Sequence, residues 1–170
     1  RHYQQTDLDL LLFVSQHICS ALERVFVQQR LLHQALHDAL TNLPNRLLFL
    51  DRVRQGFKRR RRYPDHVVAV AYLDLDRFNM VNDTLGHQIG DDLLRLVSVR
   101  LAAQLPRGAF LARMGGDEFA VVLANCGDPV HARQVGQGLL AEFDRDFSVG
   151  GHELRLSTSI GFALAPLHAT

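Results

Sequence analysis

The sequence predicts an α/β sandwich, in which a mixed sheet carries packed helices and one antiparallel hairpin. Three observations lead there. Apolar residues recur at helical spacing in several separate segments. Val67 to Leu75 reads as a strand buried on both faces. Gly115-Gly116-Asp117-Glu118 separates two short apolar runs, as a hairpin tip does. Beyond an N-terminal helical segment the order is helix, strand, helix, hairpin, helix, strand.

The N-terminal segment, Asp7 to Ala35, holds no Gly and no Pro. Leu11, Ile18, Val25 and Leu32 repeat at heptad spacing, and Val14, Ala21 and Ala35 form a second stripe with Gln28 as its polar member. That pattern suits a parallel dimer seam. Leu22, Phe26 and Leu36 widen it enough that packing on the chain's own domain is the alternative. Thr41 to Asn45 breaks the helix, and Pro44-Asn45 suits the start of the next, which runs to about Arg61. Pro64-Asp65 reads as a turn ahead of the Val67–Leu75 strand. A loop with Asn82-Asp83 and Gly86 follows, then a helix from Asp91 to Gln104. Phe110–Met114 and Phe119–Ala124 form the hairpin, Val130–Phe143 a helix, and Leu154–Ala165 an alternating strand.

Composition bounds the function. The 170 residues are 47% hydrophobic and 22% charged, within the range of globular domains. A net charge of +1 gives no bulk attraction to nucleic acid. No apolar run approaches the roughly 20 residues of a membrane span, and no signal peptide is evident. Cys19 and Cys126 form no CxxC pair and are expected as free thiols in a reducing compartment. A cytoplasmic location follows as an expectation, with membrane tethering outside this stretch left open.

Two acidic pairs carry the chemistry. Asp74 and Asp76 end the most apolar segment and, with a strand period of two, face the same side. Carboxylates that close repel unless a cation lies between them. Asp117-Glu118 occupies the hairpin tip, where two glycines allow a tight turn and close approach of a ligand. Each pair alone reads most simply as solvated loop ends. Together, a strand end and a neighbouring tip can converge, and oxygen-only ligands suit Mg²⁺ (or Mn²⁺) with phosphate. That combination points to metal-assisted phosphoryl or nucleotidyl transfer. Asp83 and His87 are expected to fix their loop, and Gly86 and Gly90 to serve backbone turns. The Lys58–Arg62 run reads as a solvated helix end, with an anionic partner as the alternative.

RMGGDEF, from Arg113 to Phe119, contains the literal signature of the GGDEF or diguanylate cyclase family. DALTNLPNR from Asp38 resembles that family's opening DxLTxLxNR, DLDRFNMVNDTLGHQIGD from Asp74 its DxDxFKxxNDxxGHxxGD, and SIGFA from Ser159 its SxGxA strand. The resemblance implies a fold like nucleotide cyclases and polymerase palms, and condensation of two GTP into cyclic di-GMP in a head-to-head homodimer. By position, Asp74, the Leu75 carbonyl and Asp117 would bind Mg²⁺. Asp117 would also serve as base, with Glu118 as helper. Asn82 and Asp91 would read guanine, and backbone N–H groups at Phe78 and Asn79 would hold phosphate oxygens.

Three departures matter. Asn79 replaces the family's lysine. Pro106 and Ala109 stand where the product-inhibition RxxD motif would begin and end. The chain stops at Thr170, before the family's last helix, so an excised fragment is expected. The organisation read from the sequence is a linker or coiled-coil helix over 1–37, resembling the end of a GAF-type sensor, and a GGDEF domain over 38–170. Text such as LTNLPNRLLFLDR is similar to GGDEF domains that precede an EAL phosphodiesterase domain. Three readings follow: a diguanylate cyclase, a weakly active or inactive GTP-binding module regulating an adjoining EAL domain, and a dimerisation element between sensor and output.

Overall fold

The computed structural model describes residues 5–63, 67–124, 126 and 128–165, with side chains from residue 12 onward. The expected Pro64-Asp65 turn and the Leu11 side chain lie outside these. The chain divides into two compact units, residues 1–35 and 36–170.

The first unit is helical. Helix α1 (Gln5–Leu36) leaves Ile18, Leu22, Val25, Phe26 and Leu32 exposed.

In the second unit, α2 (Arg46–Arg62) starts where Asn45 caps it, its side chain accepting from the Leu47 and Leu48 N–H groups at 3.0 and 3.2 Å. Four arginines in its last turn suit the negative end of the helix dipole. Strand β1 (Val68–Leu75) follows, then α3 (Phe78–Leu85), α4 (His87–Gln104), β2 (Ala109–Gly115) and β3 (Glu118–Leu123). Helix α5 (Pro129–Ala141) is capped by Asp128, with Pro129 in its first turn, and runs into a 3₁₀ turn (Glu142–Asp144). A small hairpin, β4 (Phe147–Val149) with β5 (His152–Leu154), precedes β6 (Thr158–Ala165). Arg100 holds that region to α4: its guanidinium lies 3.8 Å from the Phe147 ring centroid and donates to the Glu142, Arg145 and Asp146 carbonyls.

The sheet order is β2-β3-β1-β6, and each described pairing is antiparallel. This corrects the expected mixed sheet. Helices α3 and α4 join β1 to β2, which run the same way, but β3 lies between them. Likewise α5 joins β3 to β6 with β1 between. The helical crossovers therefore link parallel strands that never become neighbours.

The two sheet faces differ. Ala69, Ala71, Leu73 and Leu75 point into the main core with Leu93, Leu94, Val97 and Leu101 of α4 and Leu139 of α5. On the other face, Phe49 of α2 packs on Ala112, Ala120 and Val122, where small alanines admit the ring. This cover stops short of Tyr72 and Asp74, which are exposed. Strand β1 is thus covered on both faces at its start and on one face at its end, which refines the fully buried strand read from its composition.

Candidate active site

Register places the acidic residues. Asp74 lies opposite Glu118 on one neighbouring strand and opposite Ser159 on the other, so all three side chains share the uncovered face. The hairpin turns at Gly116-Asp117, with Gly115 paired to Glu118. Gly116 has φ 53°, in the left-handed region that glycine enters without a Cβ penalty. The Leu75 N–H donates to the Asp117 carbonyl at 3.3 Å, tying the tip to the strand end.

Electrostatics at this end are unbalanced. Burial first, then the neighbouring charges of Asp117, Glu118 and Asp76, push the Asp74 carboxyl above its ordinary pKa. Asp76 behaves oppositely. Ser157 and Ser159 donate to its two oxygens at 2.6 and 2.9 Å and hold its carboxyl below the ordinary value. The Asp76 N–H also donates to the Ser157 carbonyl at 3.0 Å. Asp76 therefore clamps the start of β6 to the end of β1, while Asp74 carries uncompensated charge.

The nucleotide-reading candidates form a second group. A Cβ on Gly90 would lie 1.9 Å from Asn82 Oδ1, so the Asn82 carboxamide rests against the first turn of α4, one residue from Asp91. Gly90 sits inside α4, and its missing side chain makes room for Asn82. This corrects the turn expected there, whereas Gly86, at φ 87°, does turn the chain between α3 and α4. The Phe78 side chain is buried in the core, which leaves its backbone as the group able to serve a ligand. Arg77, ahead of it, has φ 60°, a left-handed conformation that costs an ordinary residue about 1–2 kcal/mol. No side chain caps α3. Asn79 is exposed.

Two supporting residues escaped the sequence reading. Arg113 is buried, donates to the Gly116 carbonyl through Nε and Nη2 at 3.0 and 2.7 Å, and ion-pairs with Asp38 at 2.8 Å. Its own N–H donates to the Pro44 carbonyl. Burial alone would raise the Asp38 carboxyl, but hydrogen bonds from Arg113 and Thr41 outweigh it and hold the pKa below the ordinary value. Both residues lie in motifs read separately, and nothing in either motif announces the pairing. Tyr72 donates its hydroxyl to Glu118 Oε2 at 2.9 Å, and burial followed by that carboxylate raises the phenol's pKa. Its signal was its period-two spacing from Asp74.

Among the described residues, no group of three or more His, Cys, Asp or Glu could hold a metal by itself. Asp74, Asp117 and the Leu75 carbonyl would supply hard oxygen donors and leave other positions to water or phosphate. That donor set fits Mg²⁺ and does not resemble a zinc site. No helix among the described residues is long and apolar enough to cross a membrane.

An antiparallel palm-like sheet with carboxylates gathered at one open end is the architecture of nucleotide cyclases. A family model described as "Diguanylate cyclase, GGDEF domain" matches residues 35–170, and the chain belongs to that family. It is 41% identical over 138 residues to the bifunctional diguanylate cyclase/cyclic di-GMP phosphodiesterase MucR of Pseudomonas aeruginosa, covering 81% of this chain and 20% of that protein. It is 38% identical over 140 residues to the diguanylate cyclase TpbB of the same species, covering 82% of this chain and 32% of TpbB. The chain thus spans a third or less of these curated relatives. Among solved structures, the coiled coil and GGDEF domain of DgcB from Caulobacter crescentus, in complex with c-di-GMP, superposes with a TM-score of 0.78 at 27% identity, covering 92% of this chain and 82% of that one.

Proposed function

We propose that this chain is a diguanylate cyclase module that condenses two GTP into cyclic di-GMP, each of two subunits presenting one nucleotide. The observation that carries the reading is the row Glu118–Asp74 with Asp117 at the adjoining tip, on an otherwise uncovered strand end. Asp74, the Leu75 carbonyl and Asp117 would hold Mg²⁺, which when bound supplies charge neutralisation at the phosphates. Asp117 accepts the proton from the attacking 3′-hydroxyl. The 3′-oxygen bonds to the α-phosphorus of the facing nucleotide, and pyrophosphate leaves. Glu118, steadied by Tyr72, assists at the same centre. Asn82 and Asp91 read the guanine edge: a carboxylate accepts from N1–H and N2–H together, which adenine cannot offer. Backbone N–H groups at Phe78 and Asn79 hold phosphate oxygens.

Assembly rests on the exposed stripe of α1, with Ile18, Val25 and Leu32 as seam positions between two copies. The division proposed is a linker helix over 1–37 and a GGDEF domain over 38–170. A sensor domain ahead of it and an EAL domain after it complete the proposed full-length protein, which acts in the cytoplasm.

A second reading, a slow or inactive GTP-binding module tuning an EAL phosphodiesterase, draws support from Asn79 in the family's lysine position. It also fits the 36% identity, over 156 residues, to a relative named cyclic di-GMP phosphodiesterase PdeR. The deciding experiment follows product chromatographically at saturating GTP and Mg²⁺, for the wild type, Asp117→Ala and Asn79→Lys. Cyclic di-GMP formation that disappears in Asp117→Ala and rises by about tenfold in Asn79→Lys supports the cyclase. No product from the wild type or the lysine variant, with GTP still bound, gives the regulatory reading the lead.

A further inference from the structure

The uncovered end of β1 opens onto a cleft of about 820 Å³ lined by Asp74, Asp76, Arg77, Met80, Arg155 and Ser157, among others. Two arginines on its wall come from segments far apart in the chain. Arg77 sits at the left-handed step between β1 and α3. Arg155 lies between β5 and β6, two residues before Ser157.

Arg155 is exposed, but the backbone that follows it is held in place. Its neighbour Leu156 is buried, and Ser157 is bound to Asp76 by both its hydroxyl and its carbonyl. Yet neither guanidinium hydrogen-bonds or ion-pairs with a described residue, although two aspartates line the same cleft. Asp76 has its two oxygens committed to serine hydroxyls. Two guanidinium groups without a hydrogen-bonded or ion-paired protein partner, beside a carboxylate pair, suit a ligand that brings several negative charges and a metal together.

Resting on the cyclase reading, we infer that Arg155, with Arg77, grips the distal phosphates of the bound nucleoside triphosphate. Asn79 offers a neutral amide where charge is wanted, and the guanidinium fork of Arg155 would supply that charge, matching phosphate oxygens in bidentate fashion. The contact grows with phosphate number and is indifferent to the base.

The test is calorimetric binding of GTP and GMP to the whole chain, with Ca²⁺ replacing Mg²⁺ to prevent turnover. The wild type should prefer GTP. Arg155→Ala should weaken GTP about tenfold and change GMP less than about twofold, while Arg155→Lys recovers part of the loss. Matching circular dichroism and melting temperature establish that the variants remain folded. If GTP binds Arg155→Ala as tightly as the wild type, Arg155 has no such role and the cyclase reading stands. If the wild type binds neither nucleotide, the cyclase reading fails and this inference fails with it.

Discussion

One face of the central sheet is used in opposite ways at its two ends. Around Val70 and Val122 it lies beneath α2, and Phe49 fills the space left by Ala112 and Ala120. A few residues along the same strands, Tyr72 and Asp74 stand exposed beside a half-buried Glu118, with like charges crowding one another. The pairing of β1 with β3 and with β6 keeps its register from one region to the other. What differs is what the side chains gain: contact and exclusion of water at the covered end, and unmet charge at the open end. Stability and reactivity are therefore separable by mutation over a short distance, and six substitutions probe how cleanly.

The largest effect belongs to the open end. Asp117→Ala should lower turnover by about a thousandfold or more, equivalent to about 4 kcal/mol of barrier, while urea unfolding shifts by no more than about 0.5 kcal/mol. At the covered end Phe49→Ala should do the reverse. Its ring is 4% exposed, so truncation should cost about 3–5 kcal/mol of stability by urea titration, with turnover per folded molecule little changed.

Arg113→Ala crosses the boundary. It leaves the Gly116 carbonyl and the Asp38 carboxylate without their main partner, at a cost of about 2 kcal/mol allowing for the partial exposure of Asp38. Turnover should fall as well, because the tip loses its brace. Gly90→Ala is smaller and more selective. The added methyl displaces the Asn82 carboxamide, so GTP should bind about tenfold more weakly in a calorimetric titration, with the preference over ATP reduced.

Asp74→Asn, in metal-free buffer, should have the smallest effect on stability and an informative sign. The fold raises the Asp74 pKa, so the native state binds that proton more tightly than the unfolded chain, and ionisation costs stability as pH rises through the raised value. The asparagine variant should gain slightly on the wild type above that range and lose the advantage in acid. Asp38 gives the contrast. Its lowered pKa means stability present above the ordinary aspartate range and lost as pH falls through the folded value, so Asp38→Asn should lose stability at neutral pH. Denaturation curves collected across pH separate the two.

Much of this division was legible along the chain. Acidic pairs at a strand end and a hairpin tip are local patterns, as is the Asn45 helix start. Helix α3 was not, because Asn82, Asp83 and Gly86 read as loop residues and eight positions give little periodicity; burial of Phe78 in the core settles the matter. The strands of the β4–β5 hairpin, three residues each, are too short for alternation to register. Antiparallel pairing throughout the sheet required knowing that β3 lies between β1 and β2. The contacts of Tyr72 with Glu118 and of Arg113 with Asp38 span 46 and 75 positions, and only the folded register brings them together.

The clamp between Asp76 and Ser159 joins residues 83 positions apart. That distance also has a meaning in time. Ribosomes add roughly 5–20 residues per second, so about 4–17 s separate the synthesis of these two residues. Throughout that interval β1 lacks β6, and one edge of the most apolar strand in the domain can pair with another chain. The cleft beside Asp74 comes into being only as the last of the described strands is made, so a nascent chain shows an aggregation-prone edge well before the proposed nucleotide site can form.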